Sequence, residues 1–203
     1  MIFSDVVFGS VPTSKVNIDS NELSARLGVY NCDMEQLRPY FELFEKTARY
    51  KYAYTIVPCS VNDDECNLDF VVTKSKALAK VLSTCASAIV VCSTAGIEVD
   101  RLISRKNLQS PSDGYIMDAM GSAAVEGLMD YVTDLLHENY SITNRFSPGY
   151  ADLSLGIQNA LLERLNAFNT LGITLSNELM MTPMKSITAI IGIKERSTDE
   201  QHS

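Results

Sequence analysis

Hydrophobic and polar positions recur along this chain with two periods, and the switches between them mark out its elements. Residues 50–57 place Tyr50, Tyr52, Tyr54 and Ile56 on one parity and Lys51, Ala53, Thr55 and Val57 on the other, which is the period of a strand. The apolar run 88–92 reads as a buried strand and 186–193 as a closing one, while 68–72 is expected to pair with the first strand across a polar loop at 58–67. Helical spacing governs 115–138, the longest helix expected, where Met117, Met120, Ala124, Leu128, Tyr131 and Leu135 form one stripe. A further helix over 154–169 is expected to bury Ile157, Leu161, Leu165 and Phe168 and to stop at Gly172.

Capping signals set the remaining boundaries. Asp19 with Glu22 opens a short helix over 20–27 that Gly28 ends, and Asp33 with Gln36 opens a longer one through 49. Pro39 either kinks that longer helix or sits in its first turn. Residues 76–85 are helical by composition, and a helix carrying Val99, Leu102 and Ile103 follows a break at Ala95 and Gly96. Ser110 to Gly114 reads as a turn, and 194–203 as a charged tail with no reason to fold. Strands and helices mix without regular β-α-β alternation, so the fold class is α+β.

The 203 residues suit one domain, large enough to fold without a metal or disulfide staple. A net charge of −8 with scattered Lys and Arg gives nucleic acid no basic patch to bind. The chain offers no apolar run of the roughly 18–20 residues that a membrane-spanning helix needs. Residues 1–5 lack the pattern of a signal peptide, and five cysteines are an odd number, so reduced thiols in the cytoplasm are expected. Cys59/Cys66 and Cys85/Cys92 share a spacing, but one wider than structural zinc pairs use; buried thiols and no bound metal are the expectation.

Of the two histidines, His202 is in the tail and His137 stands alone near a helix end, so a Ser/His/Asp or Cys/His catalytic group has no base. Glycine-rich signatures of dinucleotide and P-loop binding do not occur, nor does the Asp-x-His-x-x-Gly pattern that supplies a cobalt ligand. Any corrinoid therefore sits on a partner.

Two segments carry candidate chemistry. In Arg145-Phe146-Ser147-Pro148-Gly149-Tyr150, a Pro-Gly turn lets backbone approach a ligand between a guanidinium fork and an aromatic ring. From Asp118 to Asp130, the residues Asp118, Ser122, Glu126 and Asp130 recur every fourth position beside small residues Gly121, Ala123 and Ala124. Each has a plainer reading, as a surface turn and as a solvated acidic face.

Taken with the segments 98–103, 172–176 and 183–192, in that order, these stretches resemble the reactivation domain of cobalamin-dependent methionine synthase in its short stand-alone form. The resemblance is clearest over 28–193 and implies one domain over 1–193, with long helices packed on a mainly antiparallel sheet. It implies a bound S-adenosylmethionine held by Glu126, Arg145, Ser147 through its backbone, Gly149 and Tyr150. It also implies a cobalamin carried by a partner corrinoid methyltransferase and a flavodoxin- or ferredoxin-type electron donor. The chain would then be an accessory component that supports reductive methylation of cob(II)alamin, with no catalytic residue of its own. The alternative is a corrinoid-protein interaction module that keeps the fold without the ligand. Relatives often read Gly-Tyr-Gly-Asp-Leu-Pro where this chain has Gly149-Tyr150-Ala151-Asp152-Leu153-Ser154, and an early acidic residue of the larger domains aligns with Glu42.

Overall fold

The computed structural model describes residues 5–30 and 33–194; Cys32 and the part of the expected tail beyond Lys194 lie outside them. The first strand, β1 (Val7–Val11), was not legible in the pattern. Helix α1 (Ser20–Leu27) begins where the Asp19 carboxylate accepts the Glu22 N–H and ends at Gly28 with φ 69°. Helix α2 (Met34–Thr47) is capped by Asp33, and Pro39 lies inside it rather than in its first turn.

Strand β2 (Tyr50–Pro58) runs as expected, but its partners are not residues 68–72. The supposed loop and second strand form a separate small sheet of β3 (Ser60–Asn62), β4 (Glu65–Asn67) and β5 (Val72–Lys74). Strands three residues long carry no readable period, and residues 68–71 are the turn between two of them, closed by Leu68 N–H donating to Val71 O at 2.9 Å. Helix α3 (Lys76–Leu82) is followed by β6 (Cys85–Thr94), so Cys85 starts a strand instead of ending a helix.

Helix α4 (Ile97–Gln109) leads into α5 (Pro111–His137). The expected turn at 110–114 is the start of α5: Ser110 is its N-cap, accepting from Asp113 N–H, and Pro111 takes the first helical position, where a missing N–H costs nothing. The helix expected over 154–169 is two pieces, α6 (Gln158–Arg164) and α7 (Ala167–Leu171), separated at Asn166 with φ 49°. That break turns Phe168 outward, 67% exposed, while Ile157, Leu161 and Leu165 are buried as expected. Strands β7 (Thr174–Leu175) and β8 (Met181–Thr182) pair as a short hairpin before β9 (Ser186–Lys194) closes the chain, one residue longer than its pattern.

The main sheet has the order β1-β2-β6-β9, every pair antiparallel. Both faces are covered. Tyr50, Tyr52, Tyr54 and Ile56 meet a layer built on α1, α2, α4 and α5, whereas Ala53 and Val57 meet α3, α6 and α7. Burial on both sides explains why β6 is apolar without alternation from Ala88 to Cys92. Within α5, Met117, Met120, Ala124 and Leu128 are buried as the stripe requires, but Leu136 rather than Leu135 completes it. The fold is a mixed helix and antiparallel-sheet domain.

Candidate functional site

The outer edge of β9 is where the chain brings its candidate residues together. Phe146 and Ile190 exchange backbone hydrogen bonds, both 2.8 Å, and Ile142 bridges Ile193, so the segment before the turn is fastened to the sheet. Four residues then reverse direction. Tyr150 N–H donates to Ser147 O at 3.2 Å, with Pro148 at the second position and Gly149, φ 82°, at the third. A positive φ at the third position is the mark of a type II turn and the reason for glycine there. Tyr150 is 68% exposed and meets Phe146 edge to face at 5.6 Å.

The residues after the turn hold it down. The Asp152 carboxylate accepts from Ser75 Oγ, from Lys76 N–H at 2.7 Å and from Ala77 N–H at 3.3 Å, which ties the loop to the start of α3. These bonds, that of Ser75 foremost, hold the Asp152 carboxyl below its ordinary range. Ala151 sits in the left-handed region with φ 49°, where its Cβ carries a penalty of about 1–2 kcal/mol that glycine would not.

Arg145 crosses from the turn to α5. Its Nη2 donates to Glu126 at 3.2 Å and lies 2.9 Å from Asp130, while its Nη1 is buried with no hydrogen-bond partner among the described residues. Glu126 and Arg145, nineteen positions apart, are thus neighbours. Burial pushes the Glu126 carboxyl above its ordinary value; Arg145 opposes the shift, and Glu22 and Asp130 add to it. Glu22 lies on α1, whose Arg26 pairs with it at 2.7 Å. It is thus an early-helix carboxylate other than Glu42 whose charge reaches Glu126.

The other half of the polar row has its own cation, which the sequence pattern missed. Lys185 Nζ donates to Ser122 Oγ at 2.9 Å and pairs with Asp118 at 2.7 Å. Its stem passes over Gly121, within 3.2 Å of where a Cβ would stand. Gly127 serves a similar end: a Cβ there would lie 1.9 Å from the Asn17 carbonyl oxygen. The small residues of α5 permit close approach of other parts of the same chain.

Cys59, Cys66 and Cys92 are buried, and Cys85 is partly so. Desolvation pushes the Cys59 thiol up to about 11 and that of Cys92 further up, which makes them poor nucleophiles. Among the described residues no group of three or more His, Cys, Asp or Glu side chains could hold a metal ion, and no helix is long and apolar enough to cross a membrane. A cleft of about 380 Å³ lined by Lys15, Asn17, Asp19, Glu22, Gly127, Asp130, Tyr131 and Asp134 adjoins the Arg145 pair through Asp130.

No family model matches the sequence, and no curated protein does. The folded chain nevertheless matches the crystal structure of the MetH reactivation domain bound to AdoHcy, with a TM-score of 0.75 at 13% identity over 96% of this chain and 80% of that one. At that identity the likeness is one of architecture, and it coincides with the resemblance carried by the sequence motifs. This chain has the fold of the MetH reactivation domain.

Proposed function

We propose that the protein binds S-adenosylmethionine between the 145–150 turn and α5, and acts as the reactivation component of a cobalamin-dependent methyltransferase system, methionine synthase being the first candidate. The observation that carries this reading is the meeting of Arg145 and Glu126 beside an exposed type II turn, in a fold whose solved counterpart binds AdoHcy.

The donor set suits the ligand. S-adenosylmethionine carries one carboxylate and two cationic groups, so it needs charges of both signs close together. The Arg145 side chain, 28% exposed, offers a guanidinium to a carboxylate, and charge-assisted contacts of this kind are the strong ones. Glu126 is the carboxylate for the ammonium or sulfonium, and a half-buried position makes that attraction larger than at the open surface. Gly149 lets the backbone of the turn, including Ser147, come near the ligand, and the Tyr150 ring offers a flat face with a polar tip.

A cobalamin held by the partner would supply the cobalt nucleophile that accepts the methyl group, after reduction by a flavodoxin- or ferredoxin-type donor. The residues of this chain contribute position and charge. The sulfonium is already an activated leaving group, so no side chain need act as acid or base, consistent with histidines at 137 and 202 only. The cytoplasm is the compartment this role requires.

The second reading, an interaction module without the ligand, draws on two observations: Arg145 already meets two carboxylates, and Ala151 strains the loop where relatives place glycine. Calorimetric titration of the wild-type chain with S-adenosylmethionine and with S-adenosylhomocysteine separates the two. Saturable binding of either supports the proposal; no heat from both leaves the interaction module.

A further inference from the structure

Arg145 stands between two carboxylates that are not equivalent. Glu126 and Asp130 are one helical turn apart on α5, and both approach the same guanidinium nitrogen, at 3.2 and 2.9 Å. The nearer one is the more exposed: the side chain of Asp130 is 66% open to solvent, against 34% for Glu126. Asp130 also lines the acidic cleft with Asp19, Glu22 and Asp134, where like charges surround it and Lys15 is the cation at hand. An exposed carboxylate in such company gains by leaning on Arg145. A ligand carboxylate would have to compete with it.

We infer that Asp130 is an intramolecular stand-in for the ligand carboxylate, a latch that occupies Arg145 until S-adenosylmethionine displaces it. The inference rests on the ligand reading proposed above. The division of labour follows from burial. Glu126, the more buried partner, keeps the guanidinium in place, and Asp130, the exposed one, swings away into the cleft toward Lys15. The latch lowers affinity for every carboxylate ligand and leaves ligands without one unaffected.

The test uses the full chain and its Asp130→Asn variant, which keeps the shape of the side chain and removes the charge. Exposed ion pairs contribute little, so S-adenosylmethionine should bind the variant about two- to fivefold more tightly. 5′-Methylthioadenosine, which has no carboxylate, should bind both proteins equally. Without any ligand, phenylglyoxal should label Arg145 several-fold faster in the variant, followed by mass spectrometry. A wild type that binds S-adenosylmethionine and a variant that binds it no better would overturn the latch. If neither protein binds, the functional reading fails and the latch falls with it, whereas a wild type that binds, with Arg145 labelled at equal rates in the two proteins, would overturn the latch alone.

Discussion

Two cations lie along one helix, and each bridges a pair of polar residues one turn apart. Lys185 joins Asp118 and Ser122; Arg145 joins Glu126 and Asp130. The Lys185 side chain is 9% exposed, and Gly121 makes room for its stem, so that end of the seam is packed shut. Arg145 is 28% exposed, has a buried Nη1 with no hydrogen-bond partner among the described residues, and lies on a turn whose aromatic ring faces solvent. A packed, satisfied ion pair serves the fold. The open pair is the one proposed to meet a ligand.

The comparison predicts opposite responses to truncation. Lys185→Ala should destabilise the chain by about 2 kcal/mol, because it strips a buried cation from Ser122 and a half-exposed Asp118 and leaves a void over Gly121. For a domain near 200 residues that is a fall of about 4–8 °C in melting temperature. A melting curve that does not move would place Lys185 on the functional side of the comparison.

Glu126→Gln sharpens the other end through pH. Burial raises the folded-state value of this carboxyl above its ordinary 4.5, so the native state binds the proton more tightly than the unfolded chain does. The stability that Glu126 contributes is present in acid and lost as pH rises from about 4.5 through the raised value. Melting curves of both proteins across that window should therefore show the variant gaining on the wild type as pH increases, with a plateau above it. A variant that loses ground to the wild type as pH rises would mean that Arg145, not burial, dominates this carboxylate.

The smallest effect belongs to the loop. Ala151→Gly removes a left-handed alanine, worth about 1 kcal/mol, and adds about 0.5–1 kcal/mol of chain entropy to the unfolded state. Thermal stability should shift by no more than about 2 °C, upward. A drop of several degrees would show that the alanine methyl packs against something the turn needs.

What the sequence disclosed follows from the range of the forces involved. Helix ends were legible because caps are local: Asp19, Gly28, Asp33 and Gly172 each act within a turn of their own position. The same local grammar misled at Ser110 and Pro111, since a turn and a helix start share those residues, and at 154–169, where the stripe runs on past the left-handed Asn166. Three-residue strands at 60–74 were too short for any period to appear.

At the site, the row from Asp118 to Asp130 was visible from spacing alone, and the 145–150 turn from its Pro-Gly pair. That Arg145 meets this row came from resemblance, because nothing local links positions nineteen apart. Lys185 and Asp152 act over 63 and 77 positions, and Glu22 reaches Glu126 from another helix; such contacts exist only once the sheet is assembled. A lysine beside a cis Thr182-Pro183 bond leaves no signature in sequence of the helix it will cover.

Arg145 is proposed to be kept for a ligand and not for the fold. Arg145→Ala, titrated with S-adenosylmethionine beside the wild type and melted without ligand, tests it most directly. Hydrogen bonds between charged groups are worth about 1.5–3 kcal/mol, so affinity should fall about ten- to a hundredfold. Arg145→Lys should recover only part, since an ammonium lacks the planar fork. Both carboxylate partners are a third or more exposed, so ligand-free stability should change by less than about 1 kcal/mol. Equal affinity in wild type and variant, or a variant that melts as far below the wild type as Lys185→Ala does, would contradict the claim.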